Sequence, residues 1–291
     1  MRAPDEFHYR FPDRVRGYRP GSHQALSTGA GQEFVSHARL YDRPDPRRLD
    51  LRASLRSIDG DWLVRVNRQR AGVSVHAVVD VSESMRFGAR TKLQVAAEFL
   101  ESLGVSAFRT GDAAGMMAFD SDERPDLFVP ARVSRGAGGL MAEKLRDVHS
   151  VGGRRPHAPH DGGSGLERTI TRLVGREGLV FIVSDFHWSL DFLPRVLDLL
   201  APAVVVPMVV WDRAEIEPPG GSGFALLEDA ESGAQRSLWL RPALRNRWRE
   251  AVAKRRSDLE RVFSAGSARP FYMTGAFDAE ALSRYFIEGV Q

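Results

Sequence analysis

In Val78-Val79-Asp80-Val81-Ser82-Glu83-Ser84 a carboxylate and two hydroxyls stand at every second position, directly after an apolar run. An extended backbone projects residues i, i+2 and i+4 to one side, so Asp80, Ser82 and Ser84 converge on one point. Three hard oxygen donors on one point suit a hard divalent cation. Two more groups of the same chemistry lie downstream. Ser164 sits in the run Gly162-Gly163-Ser164-Gly165, and Asp185 ends the run Leu179-Val180-Phe181-Ile182-Val183-Ser184-Asp185. Two carboxylates neutralise a divalent ion and hydroxyls add no charge, so such an ion stays electrophilic and accepts a carboxylate from outside. Hydroxyl and water ligands favour magnesium, with manganese next, because calcium cages spend more carboxylates and carbonyls. The structural alternative for Ser84 is a cap on the helix that starts near Thr91.

These donors need a scaffold that brings them together. From residue 73 onward the sequence alternates between strand and helix patterns. Residues 73–79, 113–119, 179–183 and 203–210 are short apolar runs of the kind that form buried parallel strands. Residues 126–129 could add an edge strand, and 270–274 a last one. Leu93, Ala96, Ala97, Leu100, Leu103 and Ala107 are spaced for a helix over 91–108. Residues 139–148, 166–174, 190–200, 242–264 and 278–287 are also helical, and the glycine-rich stretch 151–165 is a loop. Alternation at this pitch predicts an α/β fold with an open, mostly parallel sheet. In such sheets ligands gather beyond the carboxyl ends of the strands, where Asp80 and Asp185 fall. Two strand-like runs flank Glu231-Ser232-Gly233-Ala234 and predict a β-hairpin insertion at about 218–241. Residues 1–70, rich in Arg, Pro and Gly, read as an N-terminal arm packed on a main domain of 71–291, with one strand at 61–66.

Composition narrows the function classes. With 43% hydrophobic residues in 291, the chain can build a substantial core, and with no cysteine it has neither disulfides nor thiolate metal sites. No apolar run reaches ~18 residues, and the N-terminus lacks the apolar stretch of a secretory signal. A cytoplasmic protein without a membrane anchor is the expectation. The net charge is +3, unevenly spread: residues 1–70 hold 14 Arg, no Lys and 9 acids, a net of +5, and the remainder sums to −2. The arginines are interleaved with acids, both there and in the helix 242–264, where Glu250, Asp258 and Glu260 stand among them. Solvated ion pairs explain this pattern without a nucleic-acid partner.

Enzymatic readings meet specific obstacles. A haloacid-dehalogenase-type phosphatase needs a second Asp two residues after its nucleophile, and Ser82 stands there. The run from Gly162 is not a G-x-S-x-G elbow, and there is no Walker A pattern. A binding module is therefore expected and not an enzyme. A metal-dependent hydrolase or phosphatase is the alternative, with a nucleic-acid binder behind it. His157 and His160, with Asp161, could form a second metal site in the glycine-rich loop, but a solvated pair is the expectation there, and His187, two residues after Asp185, reads as a surface histidine beside the site.

Asp80, Ser82, Ser84 and Asp185 resemble the metal-ion-dependent adhesion site of von Willebrand factor A domains, with Ser164 where threonine is usual. The resemblance implies a von Willebrand A-like open sheet with helices on both faces. It is nearest to the branch that accompanies MoxR-type AAA+ ATPases. Pro46-Arg47-Arg48-Leu49-Asp50-Leu51-Arg52-Ala53-Ser54 is similar to that branch's R-x-I-D-W-x-x-S stretch, with Leu51 in place of Trp. Ser84-Met85-Arg86-Phe87-Gly88, Lys92-Leu93, Gly111-Asp112 and Val183-Ser184-Asp185-Phe186 also fit. Arg19-Pro20-Gly21 and Gly29-Ala30-Gly31-Gln32-Glu33-Phe34 look most like the MxaS-type proteins of methanol-oxidation gene clusters. The resemblance implies an adaptor that works beside a MoxR-type ATPase, gripping an acidic side chain of the ATPase or its client through Mg2+. The client it suggests is methanol dehydrogenase.

Overall fold

The computed structural model describes residues 4–11, 20–29, 33–150, 162–220, 223–228 and 235–289. They fall into two units, Asp13–Val73 on one side and Met1–Pro12 with Ser74–Gln291 on the other. The smaller unit contains strands β1 (Pro20–Gly29), β2 (Glu33–Arg39) and β3 (Leu63–Ala71), an antiparallel sheet in the order β1-β3-β2. A short helix, α1 (Leu51–Ser54), precedes β3. The sequence showed only the last of these strands. No residue of β2 is fully buried, so it carries no apolar alternation to read. The stretch around Asp50 fastens α1 to β3. The Asp50 carboxylate caps α1 at Ala53 N–H and accepts from Arg65 at 2.7 Å, and the arginine holds its pKa well below the usual carboxylate range. The Ser54 hydroxyl donates to the Asp50 carbonyl and accepts from Leu63 N–H, both at 2.8 Å.

The first residues belong to the larger unit. Phe7 is 1% exposed and packs against Phe99, Phe181 and Phe277, while its N–H donates to Ser106 Oγ at 3.0 Å. The Tyr9 hydroxyl donates to the buried carboxylate of Asp112. Phe7→Ala should cost about 3–5 kcal/mol in urea unfolding. A loss below about 1 kcal/mol would mean that the segment is not docked in solution.

The larger unit runs β4 (Ser74–Asp80), α2 (Lys92–Thr110), β5 (Ala113–Phe119), β6 (Val129–Arg132), α3 (Ala137–Ser150), α4 (Gly162–Ile170), β7 (Gly178–Ser184), α5 (Leu193–Leu199), β8 (Ala203–Trp211), α6 (Arg213–Ile216), β9 (Phe224–Glu228), β10 (Gln235–Trp239), α7 (Pro242–Ala265), β11 (Phe271–Thr274) and α8 (Ala279–Ile287). Six strands form one sheet in the order β11-β8-β7-β4-β5-β6, parallel except for β6, and β9 pairs with β10 as the expected hairpin. Residues alternate between the two faces of each strand. Phe181 meets Phe99 of α2 and Phe286 of α8 on one face. Val180 and Ile182 join Leu166 of α4, Val196 of α5 and Phe263 of α7 in the core on the other. This is the open, mostly parallel sheet with helices on both faces that the sequence predicts. Among the described residues, no helix is long and apolar enough to cross a membrane.

Two elements depart from expectation. The edge strand β6 lies three residues later than 126–129, because residues 125–127 turn as a single 3-10 turn with Pro125 at its start. The four residues 162–165, read as loop, form the first turn of α4. Their glycines serve close packing: an added Cβ would lie 2.6 Å from the Trp188 ring at Gly162, 2.3 Å from the Phe192 ring at Gly163 and 2.2 Å from the Asp120 carbonyl at Gly165.

Candidate cation site at the ends of β4 and β7

After β4 the chain adds β5 on one side and later β7 on the other, so the strand order switches direction between β4 and β7. A crevice at such a switch point is where open α/β sheets bind ligands. The buried strand β4 carries Asp80 to this edge, where it is fully buried. Its Oδ1 accepts from Ser82 N–H at 3.0 Å, and its Oδ2 accepts from Ser184 Oγ at 2.7 Å and the Trp188 indole at 3.3 Å. The Ser82 and Ser84 hydroxyls are 3.1 Å apart. Burial, reinforced by the charge of nearby Asp185, pushes the Asp80 carboxyl up to about 6.

Asp185 follows β7 and is equally buried. Phe186 turns the chain there with a left-handed φ of 52°, and its N–H donates to Ser184 Oγ at 2.9 Å. Strain of this kind in a non-glycine residue collects at functional sites. Asp185 Oδ1 accepts from His187 N–H at 3.1 Å, and Oδ2 accepts from Lys92 Nζ at 2.7 Å. Burial alone would raise the Asp185 pKa, but Lys92 and His187 outweigh it and hold the carboxyl below its ordinary value, with help from a hydrogen bond to Ser84. The same ammonium reaches Glu215 Oε1 at 2.5 Å, and the Lys92 side chain is 2% exposed. Glu215 is itself fixed, since its Oε2 accepts from Asp212 N–H at 2.8 Å in a capping box at the start of α6.

Four of the five expected donors, Asp80, Ser82, Ser84 and Asp185, are therefore linked beyond the carboxyl ends of the two central strands. Ser164 is half-buried in the first turn of α4, whose Gly162 abuts the indole that donates to Asp80. Helix α2 is capped by Thr91, in a box with Gln94, so Ser84 is not needed as its cap. His187 is exposed, 3.5 Å from Glu215. His157, His160 and Asp161 lie outside the described residues. Lys92, Ser184, Trp188 and Glu215 were not read as site residues. Asp185, His187 and Glu215 each offer one ligand atom within 4.8 Å of the others, a grouping that could hold a metal ion.

Residues 37–258 match the sequence profile of a family described as "Protein of unknown function DUF58". The chain belongs to that family. This DUF58 protein is 28% identical over 257 residues to uncharacterized proteins of Mycobacterium bovis and Mycobacterium tuberculosis, covering 86% of this chain and 76% of theirs. Among solved structures it is similar to the conserved hypothetical protein BatB from Bacteroides thetaiotaomicron, at 15% identity and a TM-score of 0.43, over 75% of this chain and 98% of that one. It is also similar to a von Willebrand factor type A protein from Catenulispora acidiphila, at 12% identity and a TM-score of 0.36, over 77% and 43% of the two chains.

Beside the carboxylates the DUF58 protein has an apolar cavity of about 260 Å3 walled by Trp211, Ile216 and Trp248, with His187, Glu215 and Arg255 at its polar margin. Both indole N–H groups are used internally, Trp211 on the Asp185 carbonyl at 3.0 Å and Trp248 on the Glu215 carbonyl at 2.7 Å. Ring carbon is what they offer a visitor. Arg255 of α7 turns inward and donates to the carbonyls of Phe186 and Trp188. Other cations of this helix pair along it, Lys254 and Arg261 with Asp258 and Arg256 with Glu260.

Proposed function

We propose that this DUF58 protein is a metal-dependent protein-binding adaptor and not an enzyme. The observation that carries the reading is the pair of fully buried carboxylates, Asp80 and Asp185, at the ends of adjacent strands with serine hydroxyls bonded around them. The donor set is chemically suited to a hard cation, being all carboxylate and hydroxyl oxygen. Burial that opposes the ionisation of Asp80 also favours a positive neighbour there. Asp80, Ser82, Ser84, Ser164 and Asp185 would hold Mg2+, with Mn2+ as the substitute. The bound ion would supply a Lewis-acidic position for a carboxylate of a partner. The adjacent indole-walled cavity supports the same reading, because protein interfaces combine a polar contact with an apolar anchor.

Resemblance names the partner as a MoxR-type AAA+ ATPase, and the client as an enzyme under maturation or assembly, with methanol dehydrogenase the first candidate. Capture of a purified MoxR-type ATPase by wild type and Asp80→Asn, each with Mg2+ and with chelator, tests this. Only wild type with Mg2+ should retain the ATPase. Equal capture under all four conditions would remove the site from the interaction, and phosphatase turnover that disappears in Asp185→Asn would replace the adaptor reading with an enzymatic one.

A further inference from the structure

The chain uses 38 arginines and three lysines, and one of the three, Lys92, is buried in the cation site. Its Nζ lies 2.7 Å from Asp185 Oδ2 and 2.5 Å from Glu215 Oε1. These two carboxylates belong, with His187, to the grouping whose ligand atoms all lie within 4.8 Å of one another. The ammonium thus sits among groups that a metal ion would take as ligands. The choice of lysine has a physical basis. Its ammonium is a compact point charge of ionic dimensions, whereas the planar guanidinium used elsewhere in this chain demands flat, forked partners.

We propose that Lys92 is a tethered resident cation that competes with divalent metal for Asp185 and so sets the affinity of the site. The inference rests on the cation-site reading above. A metal ion approaching Asp185 meets a carboxylate already neutralised, and repulsion between the ion and the ammonium adds to the cost. Glu215 makes the exchange feasible. It is held by the Asp212 capping box and bonded to Lys92 independently of Asp185, so an ammonium displaced from Asp185 keeps one of its two carboxylates and loses only part of its compensation. A purely structural ion pair would give Lys92 no influence on metal binding beyond the integrity of the fold.

Calorimetric titration with Mn2+ of wild type, Lys92→Met and Lys92→Met/Asp80→Asn separates these cases. Methionine keeps the length and removes the charge. Lys92→Met should bind Mn2+ about tenfold or more tighter than wild type, and the double variant should lose that gain. Equal affinity in wild type and Lys92→Met, with binding lost in the double variant, overturns the role of the lysine and leaves the cation site standing. No binding by any of them overturns both. A second measurement needs no variant. In wild type labelled with 15N-lysine, the Lys92 ammonium, shielded by its two carboxylates, should give a slowly exchanging signal that moves or vanishes on adding Mg2+. A signal unmoved at saturating Mg2+ overturns the proposal.

Discussion

Asp80→Asn should stabilise the metal-free protein at pH 8, by about 2 kcal/mol in urea unfolding with chelator present. Burial and the charge of Asp185 raise the Asp80 carboxyl from its ordinary 3.8 to about 6. A group raised in the folded state contributes stability that is complete below its unfolded value and is lost as pH climbs through the folded one. Above pH 7 the buried charge therefore costs roughly 3 kcal/mol. Asparagine removes that charge, and sacrifices about 1 kcal/mol because one of its two terminal atoms can no longer accept from Ser184 or Trp188. The advantage should fade between pH 7 and pH 5 and be gone below about 4. Mg2+ should restore wild type at pH 8 and leave Asp80→Asn unchanged. A variant less stable than wild type at pH 8 in chelator would mean that Asp80 is already compensated there.

Asp185→Asn should act in the opposite direction although the two carboxylates are neighbours. It strips Lys92 of one carboxylate and leaves a buried ammonium with Glu215 alone. Removing one partner of a buried pair costs about 3–5 kcal/mol. The pH dependence reverses too. Burial would raise Asp185, but Lys92 and His187 depress it, so its contribution is present above the ordinary carboxylate value and is lost as pH falls below it. Wild type should lose this stabilisation between pH 4 and lower values, and the variant should show no such loss. Unfolding curves at pH 7 and at about pH 2.5 in chelator decide it: a penalty under about 1 kcal/mol at pH 7 would show that Glu215 suffices for the ammonium.

Signals carried within one element were legible in the sequence. The apolar runs of β4, β5, β7 and β8 and the helical spacing of α2 gave the sheet and its helix, and the spacing after Val79 marked Asp80, Ser82 and Ser84, although a 3-10 turn over Glu83–Arg86, not an extended strand, brings the two hydroxyls together. What escaped depends on approach between distant segments. Glycine is a poor helix former, so 162–165 read as loop. The rings of Trp188 and Phe192, which demand glycine there, are known only once the chain is folded. Strand β2 is solvated on most of its length and has no period to detect. Lys92 and Glu215 sit in unremarkable local patterns and meet Asp185 only when the start of α2 and the short α6 come together beyond the end of β7. One sequence signal did exist for the lysine: it is one of three in a chain that carries 38 arginines.

The docking of residues 4–11 has a consequence for biosynthesis. Phe7 closes on Phe277, and Tyr9 on Phe286. The ribosome makes Phe7 and Tyr9 well before Phe277 and Phe286. The aromatic cluster of the larger unit therefore stays unsealed, with apolar rings exposed, until Phe277 and Phe286 have emerged, while Asp13–Val73 can complete its own three-stranded sheet earlier. Translation that stops short of α8 should yield a nascent chain with a finished small sheet and a sticky, unfinished remainder, the kind of species that chaperones retain.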